Sequence, residues 1–109
     1  MVVSRENALA ILRELRPELE RAYGDRLQRV CLYGSYARNQ ATDDSDIDVA
    51  IVLRGPVNRA EERHRMGDVA SAISLQHNCL LTLFFLSDEE YRNPPYAVHR
   101  HIVREGVDV

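Results

Sequence analysis

Long apolar runs are missing from this chain, as are basic tails, internal repeats, low-complexity tracts and linker-like stretches. No segment approaches the roughly 20 apolar residues of a membrane span, so no membrane role is expected. Met1, Val2 and Val3 give way at once to the polar Ser4-Arg5-Glu6-Asn7, which leaves no apolar region of the length an export signal needs. Cysteine is scarce. Cys31 and Cys79 both fall inside apolar segments, the setting of free, unreactive thiols in a reducing cytoplasm; a disulfide between them stays open at this level. There is no Lys/Arg run and the net charge is −3, so the electrostatic footprint of a nucleic-acid binder is absent. Nor does any spacing of His64, His77, His99 and His101 match a zinc ligand set. With no linker to split it, the 109-residue chain (residues 1–109) has the length of one domain. Its 45% apolar and 28% charged residues suit a globular core that needs neither disulfides nor structural metal.

What is present alternates between helical and strand patterns. Ser4 precedes an amphipathic stripe of Ala8, Leu12, Leu15, Leu19 and Ala22, spaced as one face of a helix. Pro17 is expected to kink or restart that helix, and Gly24 to end it. Residues 29–33 read as a first strand, and the polar run Thr42-Asp43-Asp44-Ser45 as a surface loop. Residues 46–53 read as a second strand, apolar on both faces over 49–53 as in a strand covered from two sides. A long helix over 58–77 has Met66, Val69, Ala70 and Ile73 inward, and a charge-dense start, 59–65, expected on a solvated face. A very apolar third strand spans 79–86. Ser87 and Glu90 are spaced as a capping box for a short helix, and a last helix runs from about residue 95 to Glu105, ended by Gly106, with a short edge strand after it.

The chemistry concentrates in two places. Leu32-Tyr33-Gly34-Ser35-Tyr36-Ala37-Arg38 is a strand end, a small-residue turn and a predicted short helix through Tyr36 and Arg38. Asp46 and Asp48 open the second strand, and side chains two apart on a strand share a face. Two close carboxylates repel unless a cation or proton lies between them. Paired hard oxygens suit Mg2+, which also holds substrate phosphates. The turn offers backbone N–H groups and the Ser35 hydroxyl to an anion, and Arg38 has a fork of donors that could reach a phosphate or simply face solvent. Tyr33 and Tyr36 flank the turn and are expected to pack in the core or at its rim.

Gly34-Ser35, ten residues and then Asp46-Ile47-Asp48 resembles the signature of the nucleotidyltransferases of the DNA polymerase beta superfamily. The short chain and Ala37-Arg38 are similar to the minimal nucleotidyltransferases (MNT), many of them antitoxins paired with a HEPN-domain toxin ribonuclease. The resemblance implies an α/β (α+β) polymerase-beta-like fold, a small mixed sheet with helices packed against it. It also implies Mg2+-dependent transfer of AMP from ATP to a hydroxyl, in the antitoxin branch a tyrosine of the HEPN toxin, within a hetero-oligomer. Asp46 and Asp48 would then be the metal-binding catalytic pair, and Gly34, Ser35 and Arg38 the nucleotide-binding residues. One departure stands out. The family places a third carboxylate on the next strand, but Cys79-Leu80-Leu81-Thr82-Leu83-Phe84-Phe85-Leu86 has none, and Thr82 is the polar side chain there able to face the site. A binder of the toxin with weak or lost catalysis is therefore the alternative reading.

Overall fold

Ser4 caps the first helix, its hydroxyl accepting from the Asn7 N–H at 3.1 Å and so satisfying one of the helix's unpaired donors. The computed structural model describes residues 4–109; the polar-start reading of Met1, Val2 and Val3 lies outside them. Helix α1 (Arg5–Tyr23) buries Ala8, Ile11, Leu12, Leu15, Leu19 and Tyr23. The stripe shifts by one residue at its end, since Ala22 is exposed and Tyr23 turns inward. The helix also does not restart at Pro17, which sits inside one continuous element with its ring exposed. Packing of the apolar stripe outweighs the lost N–H bond there.

Strands β1 (Leu27–Tyr33), β2 (Ile47–Leu53), β3 (Leu81–Ser87) and β4 (Val107–Asp108) form one sheet in the order β3-β2-β1-β4. β2 runs antiparallel to β1 and parallel to β3, and β4 runs antiparallel to β1. The sheet is therefore mixed, as the resemblance implied. The predicted helix after Gly34 is instead a single turn: the Arg38 N–H reaches the Gly34 carbonyl at 3.1 Å, the Gln40 N–H returns to the Ser35 carbonyl at 2.8 Å, and Asn39 stops it at φ 58°. A left-handed residue so close to the start leaves no room for a second turn.

Alternation divides the sheet's side chains. Val30, Leu32, Ile47, Val49, Ile51, Leu53, Leu81 and Phe85 join α1 and helix α2 (Arg59–His77) in the main core. Cys31, Ala50, Val52 and Leu86 face the other way and meet Ile102 of helix α4 (Ala97–Glu105) in a smaller cluster, with Tyr33, Phe84 and Tyr91 at its margin. Helix α3 (Asp88–Arg92) starts with the predicted capping box of Ser87 and Glu90. Gly106 lets the chain turn under α4, because a Cβ there would lie 2.6 Å from the Ile102 carbonyl oxygen and 3.2 Å from Cys31 Cβ.

The charge-dense start of α2 is not wholly solvated. Glu62 is buried, accepting from the Tyr23 hydroxyl at 2.7 Å and pairing with Arg65 at 3.0 Å. These partners replace the water it loses, and the burial with the nearby Glu62 charge drives the Tyr23 hydroxyl far above its usual range. Both cysteines are free, Cys31 buried and Cys79 partly exposed; burial and the adjacent Asp108 push the Cys31 thiol up to about 12.

Candidate active site

The end of the sheet where β1 finishes and β2 begins collects the residues singled out above. Register pairs Tyr33 of β1 with Asp48 of β2, and Asp48 with Thr82 of β3. Paired residues share a face, so Tyr33, Asp48 and Thr82 stand in a row across three strands, on the side that α4 covers only in part. Asp46 immediately precedes β2 and is exposed, whereas Asp48 is half-buried. Gly34 ends β1 at φ 78°, and a Cβ added to it would collide with the Asp48 carboxylate oxygen Oδ2. The glycine is thus required twice, by its left-handed backbone and by the close approach of the acid. Turn and carboxylate are in contact, with no packed side chain between them.

Burial, first, and the neighbouring Asp46 charge raise the Asp48 carboxyl above the ordinary carboxylate range; a hydrogen bond from Thr82 and the positive charge of Arg38 pull against that rise. The Thr82 hydroxyl donates to Asp48 Oδ1 at 2.5 Å. Tyr33 beside them has its hydroxyl pushed up to about 12, by burial and then by the Asp48 charge, so it stays protonated. Ser35 is partly exposed in the turn, while Tyr36 is 2% exposed and belongs to the core.

Arg38 lies within electrostatic reach of Asp48 but is not free. Its Nη1 contacts Glu105 of α4 at 3.0 Å and its Nε donates to Gln40 at 3.0 Å. Glu105 is a residue that the sequence reading missed. It lies 67 positions along the chain from Arg38, and only the return of α4 over the sheet brings it here. Among the described residues no group of three or more His, Cys, Asp or Glu side chains could hold a metal. A divalent ion at this site would draw on Asp46 and Asp48 alone, and one or two carboxylates completed by phosphate oxygens and water is a set that Mg2+ accepts. Such a charge would offset the burial and, after it, the Asp46 repulsion that lift Asp48. His99 and His101, two apart in α4, take different settings, His101 being exposed. His99 is instead a core residue, 1% exposed, edge-on to Phe84 at 5.3 Å.

Another groove, of about 430 Å³, lies between α1 and α2, with Glu14, Glu18 and Asp68 over an apolar floor. It shares no residue with the acidic pair or with the Gly34-Ser35 turn. No helix among the described residues is long and apolar enough to cross a membrane.

This chain resembles known proteins in sequence and in fold. A protein named as a candidate protein adenylyltransferase of Methanocaldococcus jannaschii is 31% identical over 74 residues, 68% of this chain and 74% of that protein. A chain from a crystal structure of a toxin–antitoxin with AMP-PNP superposes with a TM-score of 0.59 at 20% identity, covering 84% of this chain and 67% of that one. A chain from the complex of tri-AMPylated Shewanella oneidensis HEPN toxin with MNT antitoxin superposes with a TM-score of 0.57 at 18% identity, covering 93% and 70%. At those identities the two structures establish the fold. The model of the nucleotidyltransferase domain family matches residues 12–102, taking in the turn, both aspartates and α4 as far as Ile102. The chain therefore belongs to the nucleotidyltransferase domain family, with the mixed-sheet fold of that family and the enzymatic class its name carries.

Proposed function

We propose that this protein transfers AMP from ATP to a hydroxyl in a Mg2+-dependent reaction, that the acceptor is a tyrosine of a partner HEPN toxin, and that it acts as an antitoxin. The observation that carries the reading is the close approach of the left-handed Gly34 and the Asp48 carboxylate, which sets the Gly34-Ser35 turn directly against one of the two acids. Similarity to a candidate adenylyltransferase and a shared fold with chains of toxin–antitoxin complexes support it. Asp46 and Asp48 would hold the ion. When bound, Mg2+ supplies charge neutralisation on the triphosphate and alignment of its α-phosphorus. Gly34 admits the phosphates close to the backbone, and Ser35 donates a hydroxyl to them. Arg38, when released from Glu105, adds a bidentate donor. The acceptor oxygen forms a bond to the α-phosphorus, the bond from that phosphorus to the bridging oxygen breaks, pyrophosphate leaves and the hydroxyl proton passes to water. Positioning and charge stabilisation contribute most in such chemistry.

Incubation with a HEPN toxin, labelled ATP and MgCl2, followed by mass analysis of the toxin, tests this. Added AMP is expected, reduced at least 100-fold in Asp46→Asn and Asp48→Asn while both variants keep the wild-type circular dichroism. Full transfer by both variants would remove the site. Thr82 in place of a third carboxylate favours a second reading, a binder that silences the toxin by complex formation. Tight association with no AMP on the toxin would select it.

A further inference from the structure

The outer edge of β3 is unpaired over its middle. The Ile47 N–H bonds to the Leu80 carbonyl at 2.9 Å, so alternation along a parallel ladder points the backbone of Thr82, Phe84 and Leu86 at β2 and that of Leu81, Leu83, Phe85 and Ser87 outward. Three of the outward groups are engaged locally. The Leu81 N–H goes to Ser74 Oγ at 3.1 Å, the Phe85 carbonyl accepts from Arg59, and the Ser87 N–H goes to Glu90 at 2.9 Å. Among the described residues, the Leu81 carbonyl, both backbone groups of Leu83 and the Phe85 N–H have no partner, and Leu83 is the residue with neither group engaged. β3 carries no charge and no proline, the usual devices by which an edge discourages pairing. Beside Leu83 runs a groove of about 300 Å³ whose other wall is α2, with Arg63, Gly67 and Ser71. Gly67 lies in the interior of a long helix, where glycine weakens the structure, yet a Cβ there would meet nothing within 4 Å. No neighbour demands it; a side chain at 67 would only fill the groove. Thr82 borders the groove from the edge strand, while its hydroxyl, on the opposite face of the sheet, hydrogen-bonds Asp48; a strand added at this edge would alternate its side chains between the two faces.

We infer that the acceptor is an extended polypeptide segment that adds to the edge of β3, bonding to Leu83 and presenting its hydroxyl beside Thr82 and Asp48. The inference rests on the transfer reaction proposed above and names how its acceptor is held. Neighbouring strands lie about 4.8 Å apart, so the added strand lies about two spacings, roughly 10 Å, from Asp48. Added antiparallel, so that one residue takes both bonds of Leu83, the strand points its next residue to Thr82's face. A tyrosine side chain carries its hydroxyl over much of that gap toward Asp48, whereas serine's stays beside its own strand. Arg63, exposed at the groove wall, favours an acidic residue in the segment.

The probe is the peptide acetyl-Glu-Val-Tyr-Val-Glu-amide, with a second version methylated on both valine nitrogens so that it cannot donate to an edge. On adding the first to the 15N-labelled full chain, the Leu83 amide is expected to shift and its hydrogen exchange to slow at least fivefold. The methylated peptide and the fold-compatible variant Gly67→Gln are expected to weaken binding at least fivefold. An unmoved Leu83 amide, or equal binding of both peptides, overturns the inference. AMP transfer to the peptide is followed separately. Transfer without contact at Leu83 removes the groove and keeps the reaction. Contact at Leu83 that depends on peptide N–H groups, with no transfer in the presence of ATP and MgCl2, keeps the groove and removes the reaction.

Discussion

Gly34 is held at φ 78° with the Asp48 carboxylate pressed where its own side chain would be. Gly34→Ala must strain its backbone and displace the acid, a cost on the order of 1–3 kcal/mol. Transfer should fall at least 100-fold with a lowered urea midpoint, read by a labelled-ATP assay and circular dichroism. Thr82 occupies the position across from Asp48 where the strand could have carried another acid. Thr82→Asp would add a third carboxylate to a pair that already lifts the Asp48 carboxyl. Stability without divalent ions should drop by about 1–3 kcal/mol. MgCl2 should restore it, and transfer should rise about tenfold. Thermal melts with and without MgCl2 and the same transfer assay check both. At this scale the candidate site residues were legible in the sequence because the paired aspartates and the glycine turn are local patterns. Glu105, which grips Arg38, was not, because nothing local ties α4 to that turn.

Helix α4 is the element that closes the site's face of the sheet. It is anchored by Ile102 and by His99, whose two ring nitrogens have no hydrogen-bond partner among the described residues. Glu90 of α3 lies 3.6 Å away, too far for a hydrogen bond, and Arg59 of α2 pairs with that same Glu90 at 3.2 Å. Burial, outweighing the Glu90 charge, holds the imidazole below its ordinary value of 6.5. A folded His99 is therefore neutral where an unfolded one takes up a proton, so stability is held above about pH 6.5 and lost as the pH falls below it. Glu90 is pushed up by burial but pulled down further by the Ser87 N–H and Arg59, to below 4.5, so its own acid loss begins lower. His99→Phe should leave stability at pH 7 equal or greater and flatten its fall between pH 7 and 5. Urea unfolding at pH 7, 6 and 5 measures this. The existence of α1 and α2 was readable from apolar spacing, and that of α4 from Pro95 near its start and Gly106 at its end. The single turn after Gly34 was not, because small polar residues are compatible with either a helix or a turn.

At the scale of the molecule, the C-terminal residues are tied back onto α1 and β1. Arg16 of α1 donates to the Val109 carbonyl at 2.5 Å, and β4 closes against the centre of β1. We propose that residues 1–109 fold as one cooperative domain. Urea unfolding followed by circular dichroism and by the fluorescence of the five tyrosines, undisturbed by tryptophan, should give one coincident transition with a slope of about 1–2 kcal/mol/M. Two separated transitions would divide the chain. The amino-acid sequence by itself determined the periodic elements, the capping box and the acidic pair with its glycine turn, since each depends on residues a few positions apart. The direction of each strand pairing, the burial of Glu62, the grip of Glu105 on Arg38 and the open edge at Leu83 were decided only by the tertiary structure. Each depends on which distant segments pack together, and that choice is made by the whole apolar core rather than by any local pattern.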